Sequence, residues 1–211
     1  MLFALILSVV SAQIPASPMW PNTFWQAFNE TTHYAIGNHY TSGFYYYDWT
    51  IQSYRIDRAN GRYDRYCGLV SPWEFTNTPC NQYVNNGNRY IHYPDYNECC
   101  FCCNAEHGCG MLFPGWMTNA TYVDTEVHNG IMTYKWNKKG LQDNFIYETV
   151  GSVPVNRVTT SIYQVSDDDM EFGDRSSTLP AGILNLPSIC TMKKNCESAA
   201  CIGLRSGTST K

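Results

Sequence analysis

Phe44-Tyr45-Tyr46-Tyr47-Asp48-Trp49-Thr50-Ile51-Gln52-Ser53-Tyr54 is crowded with aromatic and β-branched residues, the composition a pleated, half-buried strand favours. Alternation sets Tyr45, Tyr47, Trp49 and Ile51 on one face, with Asp48, Thr50 and Gln52 on the other. Strand signals then continue down the chain. Asn60-Gly61 predicts a hairpin returning through Tyr63–Cys67. Its register stays open: a two-residue turn opposes Asp57 to Asp64, while a three-residue loop pairs Arg58 with Asp64 and Asp57 with Arg65. Gln82–Val84 and Arg89–Tyr93 flank Asn85-Asn86-Gly87-Asn88, a second hairpin. Ala120–His128 and Ile131–Trp136 flank Asn129-Gly130, a third, with Met132, Tyr134 and Trp136 on one face. Leu141–Val150 places Leu141, Phe145 and Tyr147 together, and Val158–Val165 is a further β-rich run. Strands at this spacing, joined by tight turns, predict an all-β antiparallel sheet.

Toward the N-terminus the pattern changes. Gln13–Ser42 is broken by Pro15, Pro18 and Pro21 and is expected to be irregular. Trp20, Phe24, Trp25 and Phe28 have helical spacing, which predicts one short helix there. Met1–Ala12 is a short apolar run ending on the small residues Ser11 and Ala12, as in a secretory signal, so the mature chain is expected to begin at Gln13. Twelve residues fall short of the roughly 20 needed to span a bilayer.

Cysteine usage points to the same compartment. The run Cys99-Cys100-Phe101-Cys102-Cys103-Asn104-Ala105-Glu106-His107-Gly108-Cys109 holds half of the ten cysteines; Cys67 and Cys80 precede it, and Cys190, Cys196 and Cys201 follow. An odd number in the cluster means at least one bridge leaves it. Adjacent cysteines are poorly placed to bridge each other, because a disulfide needs Cα atoms about 5.5–6 Å apart. The cluster is therefore expected to act as a hub bridged outward to both halves of the chain. Cys102, Cys103, His107 and Cys109 have zinc-type donors, but structural zinc sites space their ligands as C-x₂₋₄-C, and oxidation removes thiols in a secretory lumen. Disulfides are the expectation. The sequons at Asn29 and Asn119 are available for N-glycosylation in that compartment. A net charge of −4 gives no basic footprint for nucleic acid. The charged fraction, 15% against a typical ~25%, with 16 tyrosines, suits a secreted β protein.

The order of these features resembles the ependymin-related family. The resemblance is carried by Tyr47-Asp48 followed by Arg55-Ile56-Asp57-Arg58, and by Asn119-Ala120-Thr121-Tyr122 followed by Gly130 through Trp136. Pro154-Val155 and Leu186-Pro187-Ser188-Ile189-Cys190 extend it. It implies a strongly curved antiparallel sheet, a half-barrel like that of lipoprotein carriers, spanning residues 43–190. Residues 191–211 would then be a cysteine-bearing tail. It further implies a secreted glycoprotein associated with lipid-like ligands, calcium and extracellular matrix. Val153 stands where many members have Cys, and the Cys-Cys-x-Cys-Cys hub is not part of their usual pattern, so no bridge scheme is transferred.

Chemistry is sparse. No HExxH, Gly-x-Ser-x-Gly or papain-like cysteine signature occurs, and a non-enzyme is expected. Asp167, Asp169, Glu171 and Asp174 offer oxygen ligands for a weak calcium site in an acidic turn, though Phe172 stands where an EF-hand needs Gly. The expected function is binding of a hydrophobic, lipid-like ligand on a wall made by Tyr45, Tyr47, Trp49, Ile51, Met132, Tyr134, Trp136, Phe145 and Tyr147. The competing reading of those side chains is a filled core. A self-assembling extracellular structural protein and a carbohydrate-binding module are the alternative functions.

Overall fold

The computed structural model describes residues 14–34, 37–68, 76–140, 142–164 and 168–207. The expected signal segment, Leu141 and Asp167 lie outside them. The architecture is one open, curved antiparallel sheet of eleven strands: the antiparallel sheet is the one the strand pattern predicts, and its half-barrel curvature is the one the resemblance implies.

The chain enters the sheet at its centre. Strand β1 (Thr23–Tyr34) pairs with β2 (Gly37–Asp48), and β3 (Ser53–Arg58), β4 (Cys80–Asn85), β5 (Asn88–Tyr93) and β6 (Glu98–Asn104) follow as a meander to one edge. The chain then crosses to the far edge. There β7 (Thr121–His128), β8 (Ile131–Lys139), β9 (Asp143–Thr149), β10 (Thr159–Gln164) and β11 (Asp168–Phe172) run back until β11 pairs with β1. Helix α1 (Ala199–Ser206) closes the chain; Ser198 caps it by accepting from the Cys201 amide at 3.3 Å.

Two predicted turns hold for their stated reason. Asn86-Gly87 and Asn129-Gly130 both have positive φ, as a hairpin matched to strand twist requires. Asn60-Gly61 does not make a hairpin. No strand forms over Tyr63–Cys67, and β3 pairs instead with β4, after a loop closed by the Cys67–Cys80 disulfide. Gly61 is needed for that bridge: a Cβ there would lie 2.6 Å from the Cys80 Cβ and 2.8 Å from the Cys67 Cβ.

The N-terminal segment also differs from expectation. Trp20, Phe24 and Phe28 do not lie on a helix, because Thr23–Tyr34 is the central strand β1. An i, i+4 spacing is even, so it satisfies a strand's period of two as well as a helix. Phe24, Gln26, Phe28, Glu30 and Thr32 all face inward and are buried.

The disulfides form as predicted, but not to both halves. Cys99–Cys190, Cys100–Cys196 and Cys102–Cys201 all run to the C-terminal segment, while Cys103–Cys109 stays within the hub and Cys67–Cys80 is local. A bulge in β6 opposite Arg89 and Tyr90 makes this possible, letting neighbouring cysteines serve different partners. After β11 the chain crosses the outer face as a strap. Trp25 exchanges backbone hydrogen bonds with Ser176, Arg55 donates to the Ile183 carbonyl, and Leu186 packs near Tyr83, Tyr90 and Phe101. The strap then lies along the β6 edge: the Phe101 amide donates to the Lys194 carbonyl at 2.7 Å, and the Cys196 amide to the Phe101 carbonyl at 2.8 Å. Arg205 covers the Cys102 carbonyl at 2.6 Å. The edge that would otherwise recruit another strand is paired.

Removing one of these long cross-links is expected to be costly. With Cys100–Cys196 intact, the Cys102→Ala/Cys201→Ala double variant opens only the short ring between the two bridges and should lose about 2–3 kcal/mol of stability. Urea unfolding of the variant against wild type measures this; an unchanged midpoint would mean the strap holds without that bridge.

Candidate functional site

A cavity of about 320 Å³ opens on the inner face where the two meanders meet. Phe24, Gln26 and Glu30 of β1 form its floor, with Tyr45 of β2 and Tyr54, Ile56 and Arg58 of β3 on one side. Ile162 of β10 and Met170 and Phe172 of β11 close the other side. Gln82 of β4 and Arg89 of β5 extend the wall, and Trp20, Tyr66, Gly108, Gly110 and Leu112 come from covering segments. The placement follows from strand parity. Cross-strand pairs Glu30↔Met170, Phe28↔Phe172 and Tyr45↔Ile56 put these side chains on one surface.

The predicted wall divides. Tyr45 lines the cavity. Tyr47 is buried beside it, packed on Trp20 and Phe24 with its hydroxyl donating to the Leu112 carbonyl at 2.8 Å. Trp49 and Ile51 do not continue the strand: β2 ends at Asp48, the chain turns through Gln52 at φ 51°, and Ile51 is exposed. Tyr134 and Trp136 share the inner face but belong to filled core with Met117 and Ile146, while Met132 is exposed at the open tip. Phe145 and Tyr147 lie on the opposite face, because the β8–β9 register sets Trp136 against Ile146 and Lys135 against Tyr147. There Tyr147 stacks on His128 at 3.9 Å, beside Tyr163, whose phenol burial and Glu171 push up to about 12.

The acidic run is not a turn. Asp168–Phe172 is β11, and alternation sends Asp169 and Glu171 outward and Met170 and Phe172 inward. Asp169 pairs with His33 at 2.7 Å, and Glu171 accepts from Tyr163 and Asn129, each at 2.9 Å; Asp174 is exposed beyond the strand. The described members of the predicted calcium set therefore do not converge. Nor do the zinc-type donors remain available, since Cys102, Cys103 and Cys109 are disulfide-bonded and His107 Nδ1 contacts Asn104 at 2.6 Å. Both sequon asparagines, Asn29 on the outer face of β1 and Asn119 before β7, are exposed.

Sequence reading missed the charged part of the wall. Arg58 is buried and grips Glu30 through two hydrogen bonds of 2.6 and 2.8 Å, with Asp64 at 3.4 Å. Burial opposes the Arg58 charge, but Asp64 and Glu30 more than offset it and its pKa rises. Asp64 is held by the Tyr66 and Cys67 amides, both at 2.9 Å, and by Gln82 Nε2 at 2.8 Å. Burial raises the phenols of Tyr45 and Tyr54, keeping them protonated donors. The alternation Phe24-x-Gln26-x-Phe28-x-Glu30 was the available signal, hidden by the helical spacing of its aromatics.

No family model matches the chain, and no curated protein matches it. Among solved structures, an uncharacterized conserved protein from Thermus thermophilus is similar with a TM-score of 0.51 at 9% identity, covering 82% of this chain and 91% of that one. A domain assigned provisionally to outer membrane lipoprotein sorting, from Vibrio parahaemolyticus, has a TM-score of 0.39 at 5% identity, covering 78% of this chain and 89% of that one. The first likeness supports the fold alone; the second is too distant to bear on function.

Arg58 supplies a stability test. Arg58→Met strands two buried carboxylates and should cost about 3–5 kcal/mol. The Arg58→Met/Glu30→Gln pair should recover part of that loss, and denaturant midpoints for wild type, the two single variants and the double variant measure the coupling. Additive losses would show that the two side chains do not act together.

Proposed function

We propose that this protein binds a small hydrophobic ligand in the inner-face cavity without transforming it, and that it works in an oxidising, extracytoplasmic compartment as a relative of the ependymin-related proteins. The observation that carries the reading is the cavity itself: Phe24, Tyr45, Tyr54, Ile56, Ile162, Met170 and Phe172 surround space that the filled clusters on either side leave open. Its volume of about 320 Å³ sits at the lower end of the ~300–1,000 Å³ typical of ligand pockets. At ~30 Å³ for a water-sized group, it holds on the order of ten non-hydrogen atoms. That favours one short chain over a two-chain lipid.

The compartment is supported by the oxidation of every described cysteine. No described helix is long and apolar enough to cross a membrane. The resemblance to ependymin-related proteins supports a lipid-like ligand, and Ile56 and Arg58, two of the residues that carry it, lie on the cavity wall.

Decanol, an uncharged single chain, tests the reading by displacement of a neutral fluorescent probe. Each buried methylene contributes about 0.8 kcal/mol, so octanol should bind roughly tenfold more weakly. Ile162→Trp, which fills the cavity, should weaken decanol by at least about tenfold. Wild-type protein that takes up no probe, or an Ile162→Trp variant that binds as well as wild type, would refute it.

A further inference from the structure

Three arginines are more than nine-tenths buried: Arg58, Arg89 and Arg157. Two of them hold a carboxylate. Arg58 grips Glu30, and Arg157 donates to Glu148 at 2.7 Å. Arg89 has none within ion-pairing distance among the described residues, and its Nε has no hydrogen-bond partner. A buried guanidinium without an anion is costly, so its position needs an explanation.

Arg89 is the second residue of β5, directly after the Asn86-Gly87 turn and opposite Val84, and it lines the cavity. Its surroundings are aromatic. The guanidinium carbon lies 4.6 Å from the Tyr66 ring centre and 6.0 Å from that of Tyr54, and Tyr66 also hydrogen-bonds to it. Such faces attract a cation without satisfying its N–H groups. The acids nearby are engaged: Glu30 is taken by Arg58, and Asp64 by two backbone amides, Gln82 and Arg58. Beside Arg89, Tyr45 and Tyr54 stack at 5.9 Å, both line the cavity, and neither hydroxyl hydrogen-bonds to another described residue.

We infer that the ligand is a medium-chain carboxylic acid bound as its anion, its carboxylate held by Arg89 with the phenols of Tyr54 and Tyr45, and its chain against Ile56, Ile162, Met170 and Phe172. The planar guanidinium fork matches a carboxylate in two parallel hydrogen bonds. The inference rests on the cavity being a ligand site and adds which head group it selects.

Titration calorimetry at pH 7.5 with decanoate, decanol and decyltrimethylammonium, equal in chain length, tests it on wild-type protein. Decanoate should bind at least about tenfold tighter than decanol, and the cation weakest. Arg89→Gln should weaken decanoate by at least about tenfold and decanol far less, with the circular dichroism spectrum and urea midpoint showing that the variant is folded. Arg89→Lys, which keeps the charge and loses the fork, should fall between. Decanol and decanoate binding wild type equally would overturn the carboxylate assignment while leaving a hydrophobic-ligand site intact. Absence of binding by all three would remove both.

Discussion

The pairing of β1 with β11 holds the molecule together as one sheet. The two strands share the short register from Phe28↔Phe172 to Thr32↔Asp168, yet every cavity wall depends on it. Tyr45, Ile56, Arg58 and Arg89 arrive on one meander, and Ile162, Met170 and Phe172 on the other. Without the seam there are two smaller sheets, each with half a pocket. So short a ladder needs reinforcement, and side chains supply it. Gln26 Nε2 donates to the Thr159 and Gly173 carbonyls at 3.0 and 2.8 Å, and Trp20 Nε1 to Thr159 Oγ1 at 3.1 Å. On the outer face His33 reaches Asp169, and the strap continues the seam through the Trp25–Ser176 pair. Gln26 is thus buried for a structural reason, with its amide bridging the strands that flank the join.

Sulfur acts at a distance from that seam. Three bridges fix the strap to β6, and the strap begins where β11 ends, so they restrain the departure of β11 from β1. Two other bridges order the cavity's cover. Cys67–Cys80 anchors the end of the segment that carries Asp64 and Tyr66, and Cys103–Cys109 ties down the segment leading to Gly108, Gly110 and Leu112. The cross-links therefore position the cavity's rim, while its floor is held by the sheet. The two sheet edges differ accordingly: β6 is paired by residues around Cys196, whereas Val123 and Val127 are exposed on β7.

Strand existence was legible in the sequence where a turn had its own chemistry. Asn86-Gly87 and Asn129-Gly130 fix their hairpins because few other residues accept positive φ. Asn60-Gly61 carries the same letters for another purpose, the close approach of a disulfide, and nothing local distinguishes the two uses. Facing was harder to read than existence. Parity within a strand is fixed by alternation, but parity between strands depends on the length and type of each turn. Trp49 and Ile51 were lost to a turn without Gly, and Phe145 and Tyr147 to the connection between β8 and β9. The cavity was least legible, because Arg58, Arg89, Glu30 and Gln82 come from four strands and carry no common motif.

Where the cavity lies follows from what its wall contains. On one side Trp20 makes edge contacts with Phe24, Tyr47 and Trp116, all at ring-centre distances of 5.3–5.4 Å. On the other, Trp136, Ile146 and Met117 close into a second filled cluster. Between them Arg89 keeps an Nε without a hydrogen-bond partner, and an apolar cover over its guanidinium would leave it stranded. Apolar side chains can fill a space lined by their own kind, but a mixed wall stays open until something with both characters enters. Water meets the polar end and wastes the apolar one; a hydrocarbon does the reverse. An amphiphile would satisfy both, so on the proposed reading the residues that keep the core from closing also define the chemistry of the guest.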